Sequence, residues 1–351
     1  MRHVTISEIA RQLGISTASA SYALNGRPGV SETTRKRVLD LAARLDWRPS
    51  SSARALSRSR SDTIGMVLKR DPDLLGSEPY YMSLLRGVED VLSEAGQGLL
   101  LRMVGAARGA DIAVYRRWAA ERRVDGVIVL DLAVDDPRPE LLHELGMPFV
   151  LHGIRLDPET GEQVVEDLVT DARIIVDHMA ELGHRRIVYI TGPLFLAHEV
   201  RRRRAVAAEA ARHGIDVIFA ECDYTSAGAE RLMRERAAGW PQFTGVVSSN
   251  DVMALGVVTA LRDLKADRFA LVSWDDSLLC NVCVPGITAL ARHPEVQGRR
   301  SARLLLQVLD GRELLPEPPI PSSLVIRDTS VAAAFCGPLG VAAPVGADAT
   351  E

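Results

Sequence analysis

From Thr63 onward the sequence alternates short apolar runs with longer amphipathic stretches, and no other feature restricts the fold as strongly. "TIGMVL", "GLLLRMV", "GVIVL", "FVLHG", "RIVYITG", "DVIFAE", "GVVSS" and "FALVSW" have the length and apolar content of strands. Between them, segments such as "YYMSLLRGVEDVLSEAG", "DARIIVDHMAELGH" and "NDVMALGVVTALRDL" read as helices. Strands that alternate with helices in this way form parallel sheets covered on both faces. The spacing predicts an α/β body over residues 62–331, made of two such lobes divided near 155–165 and again near 276–290. Ligands of open parallel sheets lodge beyond the carboxyl ends of the strands, here in the cleft between lobes. The stretch 332–351, "AAFCGPLGVAAPVGADATE" and its flank, has no period and reads as a loose tail.

The first 61 residues have a different texture and a different charge. They hold eleven Lys and Arg against four acids, a net charge of +7, so the other 290 residues carry −11 of the chain's total of −4. A small basic head on an acidic body points to a polyanion as the partner of the head alone. Thr5 followed by Glu8 is a capping box that opens a helix with Ile6, Ile9, Ala10 and Leu13 on one stripe. Gly14 ends it. Ser16 caps a second helix, whose Ala20, Ala23 and Leu24 face inward before Asn25-Gly26 stops it. A third runs from a Ser31 cap to about Leu45, with Val38, Leu41 and Ala42 on its stripe. Helix, tight glycine turn, helix is the helix-turn-helix layout, whose second helix enters the major groove of DNA. That accounts for the hydroxyl-rich "STASASYALNG". Ser16, Ser19 and Ser21 suit phosphate oxygens, while Thr17, Ala18 and Tyr22 are placed to reach base edges.

At this point the chain resembles the lactose-repressor/galactose-repressor (LacI/GalR) family. The resemblance is carried by "VTISEIARQLGISTASASYALNG" and "VSETTRKRVLDLAARLDWRPSSSARALSRSRSDTIGMVL", and in the body by "ELGHRRIVYITGP", "GVVSSNDVMALGVVTAL", "LVSWDDS" and "SLVIRDTS". It implies a helix-turn-helix head over 1–49, a hinge over 50–61 and a periplasmic-binding-protein-like body. Thr5, Asn25, Ser31 and Thr34 complete the candidate DNA-facing set of the head. By the same resemblance "SSSARALSRSRSD" orders into a hinge helix only on DNA. Leu56 then wedges into the minor groove beside Ala53, and Arg54 lies near phosphates. In the cleft the resemblance implies Asp275, Asn250 and Arg202 as effector-binding positions, with the four consecutive arginines 201–204 leaving the register of Arg202 open by one. Tyr80 and Tyr81 are candidates to stack on a sugar ring, as are Phe195 and Trp274, although each of these aromatics is equally suited to core packing. His152-Gly153 stands where many members have an acid.

The implied function is a transcriptional regulator that binds a pseudo-palindromic double-stranded DNA operator as a homodimer and answers a small sugar effector. No G-x-S-x-G, H-E-x-x-H, P-loop or well-placed G-x-G-x-x-G supports an enzyme. Cys280 and Cys283 form a lone C-x-x-C with no partner pair, so neither a metal nor another cofactor is expected. With no membrane span and no secretory signal to read, the expected location is the cytoplasm. The body alone would also suit a solute-binding protein for sugar uptake, but that role needs export and has no use for a basic head.

Overall fold

The computed structural model describes residues 4–47, 60–69, 78–105, 107, 109–156, 163–165, 168–240, 242–263, 269–315 and 317–330. Its contacts divide the chain into two units, one ending at Ser61 and the other beginning at Asp62. The candidate hinge residues Ala53, Arg54 and Leu56, and the tail over 332–351, lie outside the described residues.

The head is three helices, α1 (Ile6–Leu13), α2 (Thr17–Leu24) and α3 (Glu32–Arg44), each begun by the expected cap. The hydroxyls of Thr5, Ser16 and Ser31 accept from the amides of Glu8, Ser19 and Thr34 at 3.3, 3.1 and 3.3 Å. Gly14 ends α1 in the left-handed region at φ 66°, a conformation that costs glycine nothing. Ile9, Ala23, Val38, Leu41 and Ala42 form the core.

The body has two lobes, each a sheet between helices. In the first, β1 (Thr63–Lys69), β2 (Gly98–Val104), β3 (Gly126–Val129) and β4 (Phe149–Leu151) form a parallel sheet in the order β2-β1-β3-β4. Ile64, Met66 and Leu68 of β1 pack towards α4 (Pro79–Glu94), while Val67 packs towards α5 (Ala110–Glu121) and α6 (Arg138–Glu144). A short antiparallel pair, β5 (Ile154–Leu156) and β6 (Gln163–Val165), follows. The second lobe is a six-stranded sheet in the order β12-β11-β10-β9-β7-β8. It comprises β7 (Arg186–Thr191), β8 (Asp216–Glu221), β9 (Gly245–Ser248), β10 (Ala270–Ser273), β11 (Thr288–Ala291) and β12 (Ser323–Val325). Helices α7 (Leu168–Glu181) and α8 (Ala197–Arg212) cover one face, and α9 (Ser226–Arg236) and α10 (Asp251–Asp263) cover the other.

All eight expected strands are present, but the sheets are not wholly parallel and the crossings differ. β12 runs antiparallel to β11 at the sheet edge. β11 belongs to the second lobe, so the second crossing comes after Ala291 rather than within 276–290. After α11 (Leu278–Val282) and β11, the chain enters α12 (Pro294–Leu309), whose Ala302 and Leu305 sit in the first-lobe core. It then crosses a third time to reach β12. The return depends on β12 pairing with β11, a contact between distant segments that no local pattern reveals.

Helix α12 lies against α4 through two glycines. A Cβ on Gly87 would fall far inside contact distance of the Glu295 carbonyl oxygen, and one on Gly298 would do the same at the Leu84 carbonyl oxygen. Helix propensity alone favours alanine over glycine by about 1 kcal/mol, whereas overpacking costs about 1–3 kcal/mol. Gly298→Ala is expected to lower stability by roughly that overpacking cost in urea denaturation; a stabilised variant would show that the helices separate freely.

Candidate functional site

Two surfaces carry the sequence-nominated residues. On the head, Thr17, Ala18 and Tyr22 of α2 are exposed, as are Thr5, Ser16, Asn25 and Ser31, while Ser19, Ser21 and Thr34 are half-buried. The hydroxyl pairs Ser16–Ser19 and Ser31–Thr34 lie 2.9 Å apart, and Asn25 Nδ2 donates to the Ser21 carbonyl at 2.9 Å. Several of these side chains therefore shape helix ends on the same face that they expose. Arg35, which the sequence did not single out, ties α3 to the end of α2 by donating to the carbonyls of Ala23 and Arg27 at 3.4 and 2.9 Å.

The second surface is the cleft between the body's lobes, a solvent-open space of about 990 Å³ at the carboxyl ends of the strands. Tyr80, Tyr81, Arg202, Asn250 and Asp275 all line it. Helix phase settles the arginine register: Arg202 turns inward and is buried, while Arg201, Arg203 and Arg204 are exposed. The two further aromatic candidates fall elsewhere. Trp274 is fully buried, stacked on Tyr189 at 5.8 Å with the Arg202 guanidinium 4.9 Å above it. Phe195 is 59% exposed and does not line the cleft.

On the first-lobe side, Tyr81 donates to Asp131 at 2.6 Å. Tyr80 donates to Gln297 Oε1 at 3.1 Å, so its oxygen accepts from His152 Nε2 at 3.0 Å. His152 Nδ1 in turn accepts from Ser301 Oγ at 3.0 Å. Burial pulls the His152 pKa down to about 4, so the ring is neutral and the chain of bonds has one direction.

On the second-lobe side, Glu199 has no exposed surface and accepts four bonds. The donors are the Gly192 amide, the hydroxyls of Ser249 and Tyr224, and Arg202 Nη1, at 2.8, 2.7, 2.8 and 2.9 Å. Burial opposes its charge, but Arg202 and these donors overcome it and hold the carboxyl below its ordinary range. Arg202 likewise stays charged, because Glu199 and Asp275 more than offset its burial. Asp275 binds Arg292 Nη1 at 3.0 Å, and Arg292 Nε binds Asp171 at 3.2 Å. Asn250 Oδ1 accepts from the Met253 amide at 2.8 Å. Asp251, next in sequence, is buried, and its carboxyl is pushed up to about 7 by burial first and then by Asp275. Among the described residues no His, Cys, Asp and Glu cluster could hold a metal ion, and no helix is long and apolar enough to cross a membrane. Cys280 and Cys283 are both free thiols.

Comparison with known proteins decides what kind of molecule carries this pair of surfaces. Residues 5–50 match the family model for bacterial regulatory proteins of the lacI family, and residues 176–330 match the periplasmic binding protein-like domain. The chain is 31% identical over 330 residues to the HTH-type transcriptional regulator CelR of Thermobifida fusca, covering 90% of this chain and 94% of that one. This protein belongs to the LacI family. It is also similar to the solved CelR–cellobiose complex, at 27% identity and a TM-score of 0.69, covering 93% of this chain and all of the other. The lac repressor dimer bound to operator and an anti-inducer shares its fold, with a TM-score of 0.80 at 22% identity over 94% of this chain. The LacI-family chain is thus a DNA-binding transcriptional regulator, not an enzyme, with a two-lobed α/β body whose sheets are mainly parallel.

The cleft of this LacI-family regulator gathers residues that the sequence reading missed: Asp131, His198, Glu199, Asp251, Arg292 and Gln297. Asp251 gives a test of its electrostatics. Its ordinary pKa is 3.8 and its folded value about 7, so across that interval the unfolded chain releases the proton while the folded chain retains it. The cost of burying this group therefore accumulates as pH rises from about 4 to about 7 and is constant above. Asp251→Asn keeps the shape and removes the charge. Its stability relative to wild type is expected to climb through this interval by up to about 4 kcal/mol in urea denaturation; a pH-independent difference would contradict the shift.

Proposed function

We propose that this protein represses carbohydrate-utilisation genes in the cytoplasm, binding a pseudo-palindromic operator as a homodimer and releasing it when a sugar occupies the cleft. What carries the reading is the cleft itself, which sets fixed arginine donors, carboxylate acceptors and a half-buried tyrosine around one polar space in a chain that also has a helix-turn-helix head. Polyols are held by just such mixed donor and acceptor sets. The likeness to CelR, solved with cellobiose, makes cellobiose and related neutral saccharides the first effectors to try.

In this reading Thr17, Ala18 and Tyr22 meet base edges, while Thr5, Ser16, Ser19, Ser21, Asn25, Ser31 and Thr34 meet backbone or set the register of the helix that does. The domain limits are 1–49, 50–61, 62–331 and 332–351, with Ala53, Arg54 and Leu56 forming a minor-groove hinge. Two-fold pairing doubles the few base contacts one head can make and fixes the half-site spacing. A sugar shifts operator affinity only by its differential affinity for the two lobe arrangements, about 1–3 kcal/mol of coupling. Tyr80, Tyr81, Arg202, Asn250 and Asp275 provide that difference.

Operator titration by fluorescence anisotropy tests both halves of the reading. Full-length protein is expected to sediment as a dimer and to leave the operator with one member of a panel holding cellobiose, maltose, glucose and ribose. A response to none of them removes the sugar assignment. Asp275→Asn leaves Arg292 its bond to Asp171 and is expected to hold operator within about twofold of wild type while ignoring the sugar. Leu56→Ala is expected to weaken operator binding by about 1–3 kcal/mol and to reduce the bend; an unchanged bend in a phasing assay would mean that the leucine does not insert.

A further inference from the structure

We propose that His198 is a specificity-determining residue of the cleft, its Nδ1 fixed as a hydrogen-bond acceptor to which the effector must donate. The inference rests on the cleft being the effector site, and it adds an uncharged acceptor to the carboxylates already named there.

The argument starts at Glu199. An ionised carboxylate has only lone pairs to offer, so every hydrogen-bonding neighbour must point a proton at it. Tyr224 has one hydroxyl proton and spends it on Glu199 Oε1 at 2.8 Å. The Tyr224 oxygen can then only accept from its other neighbour, His198 Nε2, at 2.9 Å. The proton of the ring therefore sits on Nε2. Burial, reinforced by Arg202 and Arg292 against the pull of Glu199 and Asp131, brings the His198 pKa to about 4. The imidazole is neutral at working pH, and a neutral ring with Nε2–H has a bare Nδ1.

That nitrogen has no hydrogen-bond partner among the described residues, and the ring lines the cleft with its side chain 30% exposed. The other cleft histidine differs. His152 has both nitrogens engaged, by Tyr80 and Ser301, and can read nothing. His198 stands one helical turn before the buried Arg202 on the same helix. The second-lobe wall thus offers a permanent acceptor at His198 Nδ1. A hydroxyl or N–H satisfies it by donating. A carboxylate, phosphate or ether oxygen placed at His198 would set lone pair against lone pair. The effector class that fits is an uncharged ligand with a hydroxyl or N–H at this point.

The test is nitrogen NMR on full-length protein carrying ¹⁵N-histidine, the His198 signals being those lost in His198→Phe. Near neutral pH, without ligand, His198 is expected to show a protonated Nε2 and an unprotonated Nδ1. The opposite tautomer or an imidazolium would overturn the proposal whatever the effector is. Tyr224→Phe removes the accepting oxygen and is expected to leave a mixture of tautomers; an unchanged tautomer would break the relay from Glu199. When cellobiose or another sugar of the panel binds, the Nδ1 resonance is expected to move in the direction of an accepted hydrogen bond. His198→Phe should then weaken that sugar about tenfold. A sugar that binds with Nδ1 unmoved overturns the proposal and leaves the sugar reading standing. If no sugar on the panel binds, the sugar reading fails, and the His198 assignment is decided by the tautomer.

Discussion

The arrangement of the body depends on Arg292, buried where the chain passes from the second lobe into α12. Its guanidinium is held by Asp171 of α7 and by Asp275 after β10, both in the second lobe. Its carbonyl accepts from Gln297 at 2.9 Å, and Gln297 in turn receives the Tyr80 hydroxyl of the first lobe. A buried charge with one partner removed costs about 3–5 kcal/mol, so this residue resists any movement that would strip it of both acids. The cleft is therefore organised around a fixed cation that is itself neutralised. Asp275 is one of the groups that fix it.

The same low-dielectric setting gives the cleft a defined proton direction. Bonds run into Glu199 from Ser249, Tyr224, Arg202 and the Gly192 amide, and outward from there the roles of Tyr224 and His198 follow without further choice. On the opposite wall the Ser301–His152–Tyr80–Gln297 chain is equally determined. Both histidines are neutral because burial outweighs the acids near them. Over the physiological range His152 and His198 keep fixed donor and acceptor roles, while the buried carboxyl of Asp251, raised to about 7, changes its protonation.

How much of this was legible in the sequence follows from the distance over which each feature is encoded. Thr5, Gly14, Ser16 and Ser31 announced the head because a cap is specified within four residues of itself. The eight body strands read from the sequence were legible for the same reason, as local apolar runs. The cleft was only half legible. Asp275, Asn250 and Arg202 stand in recognisable motifs, and the phase of α8 from Ala197 would have fixed the inward arginine through Val206 and Glu199 on the same stripe. Arg292, His198 and Glu199 were not readable, since their meaning lies in partners such as Asp171, Tyr224 and Ser249, tens of residues away. Trp274 shows the converse: an aromatic beside a motif aspartate looked available to a ligand and instead fills the core behind it.

The placement of α12 has a consequence for how the molecule comes into being. The first lobe's sheet is complete in sequence by Leu151, yet the helix that closes one of its faces is encoded at Pro294–Leu309. On the ribosome, Leu84, Val88 and their neighbours emerge some two hundred residues before the surface that covers them. The second lobe's helices and its first five strands are by then all translated. The nascent chain must carry an exposed apolar flank through most of synthesis, which is a condition that favours chaperone capture. The close approach of α4 and α12 at Gly87 and at Gly298 is then among the last joints to form, and its tight fit lets a single late helix seal the lobe.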